Sequence, residues 1–333
     1  MRILAVDDDP VILDLLPMIF READLPRLNL ASSGADALDI LRDPETQFDC
    51  LLLDIMMSEM DGIELCERIR QMPNYRHTPI LMLTAVKDHA EIEAAFVAGA
   101  NDYITKPFDV KEIATRVRVA QRMTETTAHV PRLNPLDRDA AVEAGVHGFA
   151  VDDPVMLDQT ERLILPFSLG NYLSQLSRTR LDSCTIFAAR LEGVSNLYGT
   201  CKTHEFAAAL AEVVGAITQA VDCPKLLMSY EGDGTFLCIL QGIDAPQWPE
   251  IEDQIQEILD KGAAAFDTGN AIPLTLSIGN PVVPNASRNQ RVKKTFDRAV
   301  GRAIMREKSK GKSLGKLPKG RTSARQRMLR SIP

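Results

Sequence analysis

A chain of 333 residues, 45% hydrophobic and 25% charged with a net charge of −8, is long enough for two ordinary domains, each with its own core. It opens without a basic-then-apolar leader, and no apolar run reaches the roughly 18 residues that cross a bilayer, so a secreted or membrane-spanning protein is not expected. Six cysteines and five histidines are scattered without metal-ligand spacing, which argues against disulfides or a zinc site and for reduced, buried thiols in a cytoplasmic protein.

Through the first 120 residues short apolar runs alternate with segments of helical period. Residues 3–6, 28–31, 50–53, 80–83 and 102–104 read as buried strands. Residues 34–41, 62–72 and 88–98 carry apolar side chains three and four apart, as a helix face requires. Pro17 falls inside the first expected helix and should kink it. Such alternation implies an α/β unit, a parallel sheet covered on both faces, whose ligands bind past the carboxyl ends of the strands.

At those ends stand Asp7, Asp8 and Asp9 after the first strand, Asp54 after the third, Thr84 after the fourth and Lys106 after the fifth. Carboxylates crowded at one edge repel one another unless a hard divalent cation lies among them. Mg²⁺ suits the position, since it takes a few carboxylates and keeps waters that a phosphate can replace. Lys106 and Thr84 then suit phosphoryl oxygens, one as a charge and the other as a hydrogen-bond donor. Asp9, Asp61 and Asp102 are expected to be solvated loop acids.

The runs Ile3-Leu-Ala-Val-Asp-Asp-Asp-Pro10, Leu51-Leu-Leu-Asp-Ile-Met-Met57, Met60-Asp-Gly62, Leu83-Thr-Ala85 and Gly99-Ala-Asn-Asp-Tyr-Ile-Thr-Lys-Pro-Phe108 resemble the receiver domain of two-component response regulators. The resemblance implies a flavodoxin-like doubly wound (βα)5 fold over residues 1–123, with Asp54 as the phosphoacceptor. A histidine kinase or phosphotransfer protein would be the donor. Asp8 would bind Mg²⁺ directly, Asp7 through water, and the Met56 carbonyl would be a further ligand. Thr84 and Tyr103 would be the switch pair, and Lys106 would precede a cis peptide to Pro107. Ser58 departs from the family, which has proline there.

Residues 124–160 are interrupted by Pro131, Pro135 and Pro154 and read as a hinged linker, with a short helix around 139–144. From 161 to 313 the order changes. Strands are expected at 185–191, 225–230, 235–240 and 274–278, and helices at 204–221, 251–266 and 292–308. That β-α-β-β-α-β order is a split βαβ palm, an α+β ferredoxin-like fold, with Asp233-Gly234 as its hairpin turn.

Tyr230-Glu-Gly-Asp-Gly-Thr235, Thr275-Leu-Ser-Ile-Gly279, Leu197-Tyr-Gly199 and Arg302-Ala-Ile-Met-Arg-Glu-Lys-Ser-Lys-Gly311 resemble the GGDEF domain of diguanylate cyclases. The chemistry implied by that family is incomplete. Glu231-Gly232 replaces the paired glycines where backbone alone approaches a nucleotide. Asp233 keeps a metal-ligand position, but Gly234 replaces the next acid. Glu192 is the one acid near the end of the first strand that could stand in for a lost ligand. Asp222-Cys-Pro-Lys225 reverses the charges of the family's Arg-x-x-Asp product site. The expected function is a phosphorelay response regulator with a non-catalytic GGDEF-like output domain, active in cyclic di-GMP signalling. A divergent diguanylate cyclase is the alternative, and for Asp233 an ordinary turn aspartate is the plainer reading. Dimerisation on phosphorylation and a protein partner for the output domain are expected.

From residue 288 to the end, 16 Lys and Arg face only Asp297 and Glu307, leaving 22 bases and 44 acids in the rest. The basic tail, 314–333, is expected to be a solvated extension rather than a nucleic-acid contact.

Overall fold

Five short strands form the first sheet. In the computed structural model they are β1 (Arg2–Val6), β2 (Arg27–Ala31), β3 (Cys50–Asp54), β4 (Ile80–Thr84) and β5 (Asp102–Thr105). The apolar runs of β1, β3 and β4 are buried on both faces, whereas β2 and β5 at the edges are partly exposed. All neighbours are parallel, in the order β2-β1-β3-β4-β5. The structure describes residues 1–314 apart from 77, 86–88, 128–129, 139–142, 159, 161, 177, 224, 242–249 and 285–290. Most of the short helix expected at 139–144, and all but the first residue of the basic tail, lie outside the described residues.

The period of two along β1 sorts its side chains. Ile3 and Ala5 join α1 (Pro10–Glu22) and α5 (Val110–Thr127), whereas Leu4 and Val6 join α2 (Gly34–Arg42) and α3 (Gly62–Gln71). Each fully buried aliphatic side chain in these layers contributes roughly 1.5–3 kcal/mol. α4 (His89–Val97) completes the second layer through Ala95. Pro17 does lie within α1.

Asp9 and Asp61 are more than solvated acids. Asp9 caps α1 by accepting from the Val11 amide, and Asp61 caps α3 by accepting from the Glu64 amide. Asp102 is a clear correction: it is 1% exposed and ion-paired to Arg116 at 3.1 Å. It begins β5 facing a neighbouring element, which strand position alone does not reveal.

Past α5 a two-residue parallel pair, β6 (Arg132–Leu133) with β7 (Met156–Leu157), ties the ends of the connecting segment together. Then come α6 (Pro166–Gln175) and α7 (Arg178–Asp182). The second sheet holds β8 (Cys184–Leu191), β9 (Leu226–Tyr230), β10 (Thr235–Gln241) and β11 (Leu276–Ile278) in the order β11-β8-β10-β9, every neighbour antiparallel. α8 (Val194–Thr200), α9 (Thr203–Val221) and α10 (Glu250–Leu259) belong to one face, where Phe187, Leu210, Ile217 and Ile255 meet. α6 and α11 (Arg291–Leu314) cover the other through Leu169, Leu173, Ala299 and Ala303.

The helix expected over 251–266 stops at Leu259. The Glu212 carboxylate takes the amides of Ala263 and Ala264 at 2.9 and 2.7 Å, and a competing long-range acceptor of this kind ends a helix that periodicity would extend. α11 runs six residues beyond its expected end, and α6, with Pro166 opening it, was not singled out.

Candidate functional site

The reversal of strand order lies between β1 and β3, and the acids at their carboxyl ends converge there. Asp7, Asp8 and Asp54 each offer a carboxylate oxygen within 4.8 Å of the others. Asp7 is fully buried, and its two oxygens accept from the Asp9 amide at 3.0 Å and from Lys106 Nζ at 2.7 Å. Asp8 Oδ2 accepts from the amide and the hydroxyl of Ser58 at 2.8 and 2.9 Å. Those two bonds, the amide's first, hold the Asp8 carboxyl below its ordinary range.

Asp54 is 3% exposed, the last residue of β3. Lys106 Nζ lies 2.9 Å from its Oδ1, within ion-pair distance, yet that buried oxygen takes no well-directed hydrogen bond. Burial is the main influence on Asp54 and raises its pKa to about 6, with Lys106 opposing and the neighbouring aspartates adding to the rise. Burial pulls Lys106 down, but its bonds to Asp7 and Asp54 outweigh that and leave its pKa raised.

Three carboxylates, Asp7 and Asp54 buried and Asp8 exposed, against one ammonium leave an excess of negative charge at this edge. An under-coordinated carboxylate oxygen in such a setting fits a divalent cation held by oxygen ligands. The backbone here is dictated by close approach: a Cβ on Gly62 would sit 2.0 Å from the Asp54 carbonyl oxygen, so only glycine lets α3 start so near the site.

Other expected members lie around this cluster. Thr84 is fully buried at the end of β4, and its carbonyl accepts the Lys106 amide at 2.7 Å. The peptide from Lys106 to Pro107 is cis. The Met56 side chain is 59% exposed, leaving the backbone as its means of taking part. Tyr103, on β5, packs toward α4. Its ring meets Phe96 of α4 edge-on at 6.4 Å, in the apolar layer shared with the second sheet's helices. Ser58 carried no assigned role in the sequence, because its contact with Asp8 spans 50 residues.

The Tyr103 side of the first sheet is joined to the second by a network that sequence reasoning missed. Phe96 packs edge-on against Tyr172 of α6 at 5.5 Å. The Tyr172 hydroxyl lies 2.9 Å from Glu93 Oε1 and 2.7 Å from the assigned Gln241 Oε1. A phenol has one proton, so it cannot donate to both, and Gln241 Nε2 is buried without a partner. With that amide turned, Gln241 donates to Tyr172, which donates to Glu93, at the expense of the 3.5 Å contact from Arg180 Nη1 to Gln241. Asn171 donates to the Asn101 carbonyl at 3.2 Å, and Gln175 donates to Asp102.

The residues expected at a nucleotide hairpin are engaged elsewhere. Glu231 accepts from the Ser229 hydroxyl, and burial raises its pKa. Asp233, at φ 46°, pairs with Arg190 Nη2 at 3.1 Å. The same guanidinium donates to Thr235 Oγ1 at 2.7 Å and meets Glu307 at 2.8 Å. Arg190 faces Thr235 across the β8–β10 ladder, which the sequence did not reveal.

Glu192 accepts from Ser277 Oγ at 2.6 Å and lies 3.5 Å from Lys310 Nζ. Among the described residues, neither Glu192 nor Asp233 belongs to a group of three or more potential metal ligands. The connecting segment also covers the turn. The Asp233 amide donates to the Val151 carbonyl at 2.7 Å, and a Cβ on Gly232 (φ 89°) would lie 2.1 Å from Asp152 O. Gly234, at φ 68°, donates its amide to the Tyr230 hydroxyl at 3.1 Å.

With this geometry in view, residues 3–118 match the response regulator receiver domain family, and this part of the chain is a receiver domain. The transcriptional regulatory protein SrrA of Staphylococcus aureus is 38% identical over 138 residues, 41% of this chain and 54% of its own. The chain thus spans about half the length of the curated relatives it matches. A putative response regulator from Chloroflexus aurantiacus is 38% identical over 36% of this chain and 97% of its own, with a TM-score of 0.34. The chemotaxis protein CheY4 of Vibrio cholerae is 27% identical over the same shares, also with a TM-score of 0.34. Among the described residues, no helix is long and apolar enough to cross a membrane.

Proposed function

We propose that this chain is a response regulator that takes a phosphoryl group on Asp54 from a histidine kinase or phosphotransfer protein. Its output is a ferredoxin-like, GGDEF-related palm acting as a regulatory or binding module. The observation that carries the reading is the buried, under-coordinated Asp54 carboxylate beside Asp7, Asp8 and Lys106. Asp54 attacks the phosphorus of a phosphohistidine; the new O–P bond forms as the P–N bond breaks, and the imidazole leaves. Asp8, Asp54, the Met56 carbonyl and, through water, Asp7 would hold Mg²⁺, which would supply charge neutralisation for the transferring group. Lys106 and the Thr84 hydroxyl hold phosphoryl oxygens. The movement of Thr84 and Tyr103 that follows is passed to Phe96 and thence to Tyr172 of α6, biasing the docked arrangement of the two sheets and favouring a homodimer.

Support for a palm that has left catalysis comes from its hairpin. Arg190 occupies Asp233, Lys310 lies beside Glu192, and the Asp152 backbone lies over Gly232 where a nucleotide would need to approach. The test is twofold. Asp54→Asn should abolish incorporation of radiolabelled phosphate from a small phosphodonor, and labelling that persists overturns the receiver assignment. Protein activated with beryllofluoride and given GTP and Mg²⁺ should make no cyclic di-GMP. Product above that of an Asp233→Ala control would replace the regulatory reading with an enzyme.

A further inference from the structure

α11 closes the second sheet with an apolar face and leaves a cationic one outside. Val292, Phe296, Ala299, Val300 and Ala303 pack in the layer shared with α6 and β8. Lys294, Arg298, Arg302 and Arg306, four residues apart, are all exposed. At 1.5 Å per residue they form a row about 18 Å long on one side of the helix. Arg298, Arg302 and Arg306 line a groove of about 650 Å³ together with Glu252, Ile278 and Asn280.

Two of the three arginines are held in place. Arg306 grips Glu252 with two nitrogens at 3.0 and 3.1 Å, and Arg302 donates to the carbonyls of Asn280 and Pro281. Their guanidinium planes are thereby pre-organised, with further N–H donors left for a ligand.

We propose that this row and its groove bind the phosphate backbone of a nucleic acid. Three points of chemistry select that occupant. First, a row about 18 Å long lies alongside roughly ten duplex charges, since DNA carries one per about 1.7 Å of axis. Second, arginine stands at the three groove positions, and its planar fork suits phosphate oxygens. Third, an anionic membrane is a poor match, because a helix that lies in a bilayer surface inserts its apolar face, and that of α11 is already buried. Met305, at 71% exposure, is the one large hydrophobic side chain in the groove that faces solvent strongly.

The charge distribution favours a contact in the C-terminal part of the chain, to which the α11 row belongs. Residues from 288 onward carry 16 bases against two acids, whereas the rest of the chain holds twice as many acids as bases and repels a polyanion. The contact is therefore sequence-independent in character, made to backbone rather than to bases.

The experiment uses the full chain and a fluorescein-labelled mixed-sequence 20-base-pair duplex, followed by anisotropy between 50 and 200 mM salt. Wild-type affinity should fall at least tenfold across that range. Arg298→Glu and Arg302→Glu should each weaken binding about fivefold or more at 100 mM salt and flatten the log–log salt slope by about one. Lys293→Glu makes the same change of charge about 140° around the helix and should weaken binding less than twofold. Arg298→Gln and Arg302→Gln, with unchanged beryllofluoride uptake and circular dichroism, separate lost contact from lost fold. Equal losses for all three reversals would mean bulk charge and not this row, and would overturn the proposal. So would no duplex binding at 50 mM salt, or capture by phosphatidylserine vesicles under conditions where the duplex is not bound.

Discussion

Replacing Tyr172 by Phe removes one hydroxyl from the junction between α4 and α6 and leaves its ring edge-on to Phe96. Glu93 is buried and receives the Tyr172 proton at 2.9 Å, so the substitution strips a donor from a buried carboxyl group. Leaving such an acceptor unmet costs roughly 1–3 kcal/mol. Taking about 2 kcal/mol, the docked arrangement should lose roughly 30-fold in its equilibrium constant. Hydrogen exchange of the α4 amides in the unphosphorylated full chain reads this directly, with the amides of β1 and β3 as an internal reference that should not change. A companion Glu93→Gln variant keeps an acceptor and should lose less, and the two variants together with their double mutant give the coupling between the two side chains. If the α4 amides of Tyr172→Phe exchange within threefold of wild type, the hydroxyl does not hold the two sheets together.

Gly232→Ala places a Cβ 2.1 Å from Asp152 O at a φ of 89°, so strain and clash together should cost about 2–3 kcal/mol. The loss should appear as faster exchange around residues 150–153 with β8 protection retained, and unchanged exchange there would remove the connecting segment from its place over the hairpin. Asp102 gives the pH prediction. Its pKa is raised to about 6 in the folded chain, burial being the main cause, with Arg116 opposing. The folded state therefore binds this proton more tightly than the unfolded one, and the stability it contributes falls as pH rises from about 4 to 6 and stays low above that. Urea unfolding of Asp102→Asn should show a shallower decline across that window, by on the order of 2 kcal/mol. Asp54→Asn should flatten the same window, since its pKa is displaced in the same direction. An unaltered profile in both variants would contradict the burial argument.

The first sheet and its acidic edge were legible because their signals are local. A run such as Leu51-Leu-Leu-Asp54 carries its own strand propensity, and the residue that follows a buried strand must emerge at the sheet's end. Order in the chain therefore predicted that Asp7, Asp8, Asp54, Thr84 and Lys106 would share one edge. The pattern of residues from 184 onward likewise carried the chain order of the second sheet's strands and main helices, though not the strands' order within the sheet.

What escaped depends on partners far apart in sequence. Asp102 looked like a loop acid because Arg116 and Gln175 reach it only after α5 and α6 have packed. Asp233 kept the residue type of a metal ligand, yet Arg190 answers it across the ladder from 43 residues away. Gly232 stands at the hairpin where the resembled family lets a nucleotide approach, and nothing in the sequence signalled that the backbone of Asp152 lies over it. α10 ended early because Glu212, on another helix, takes the amides that follow it. Period and propensity are properties of neighbours along the chain, so the sequence by itself determined the strands, most helices and the acids at the sheet edge. Ion pairing and occlusion are settled by whichever groups the fold brings within about 3 Å, and these only the tertiary structure decided.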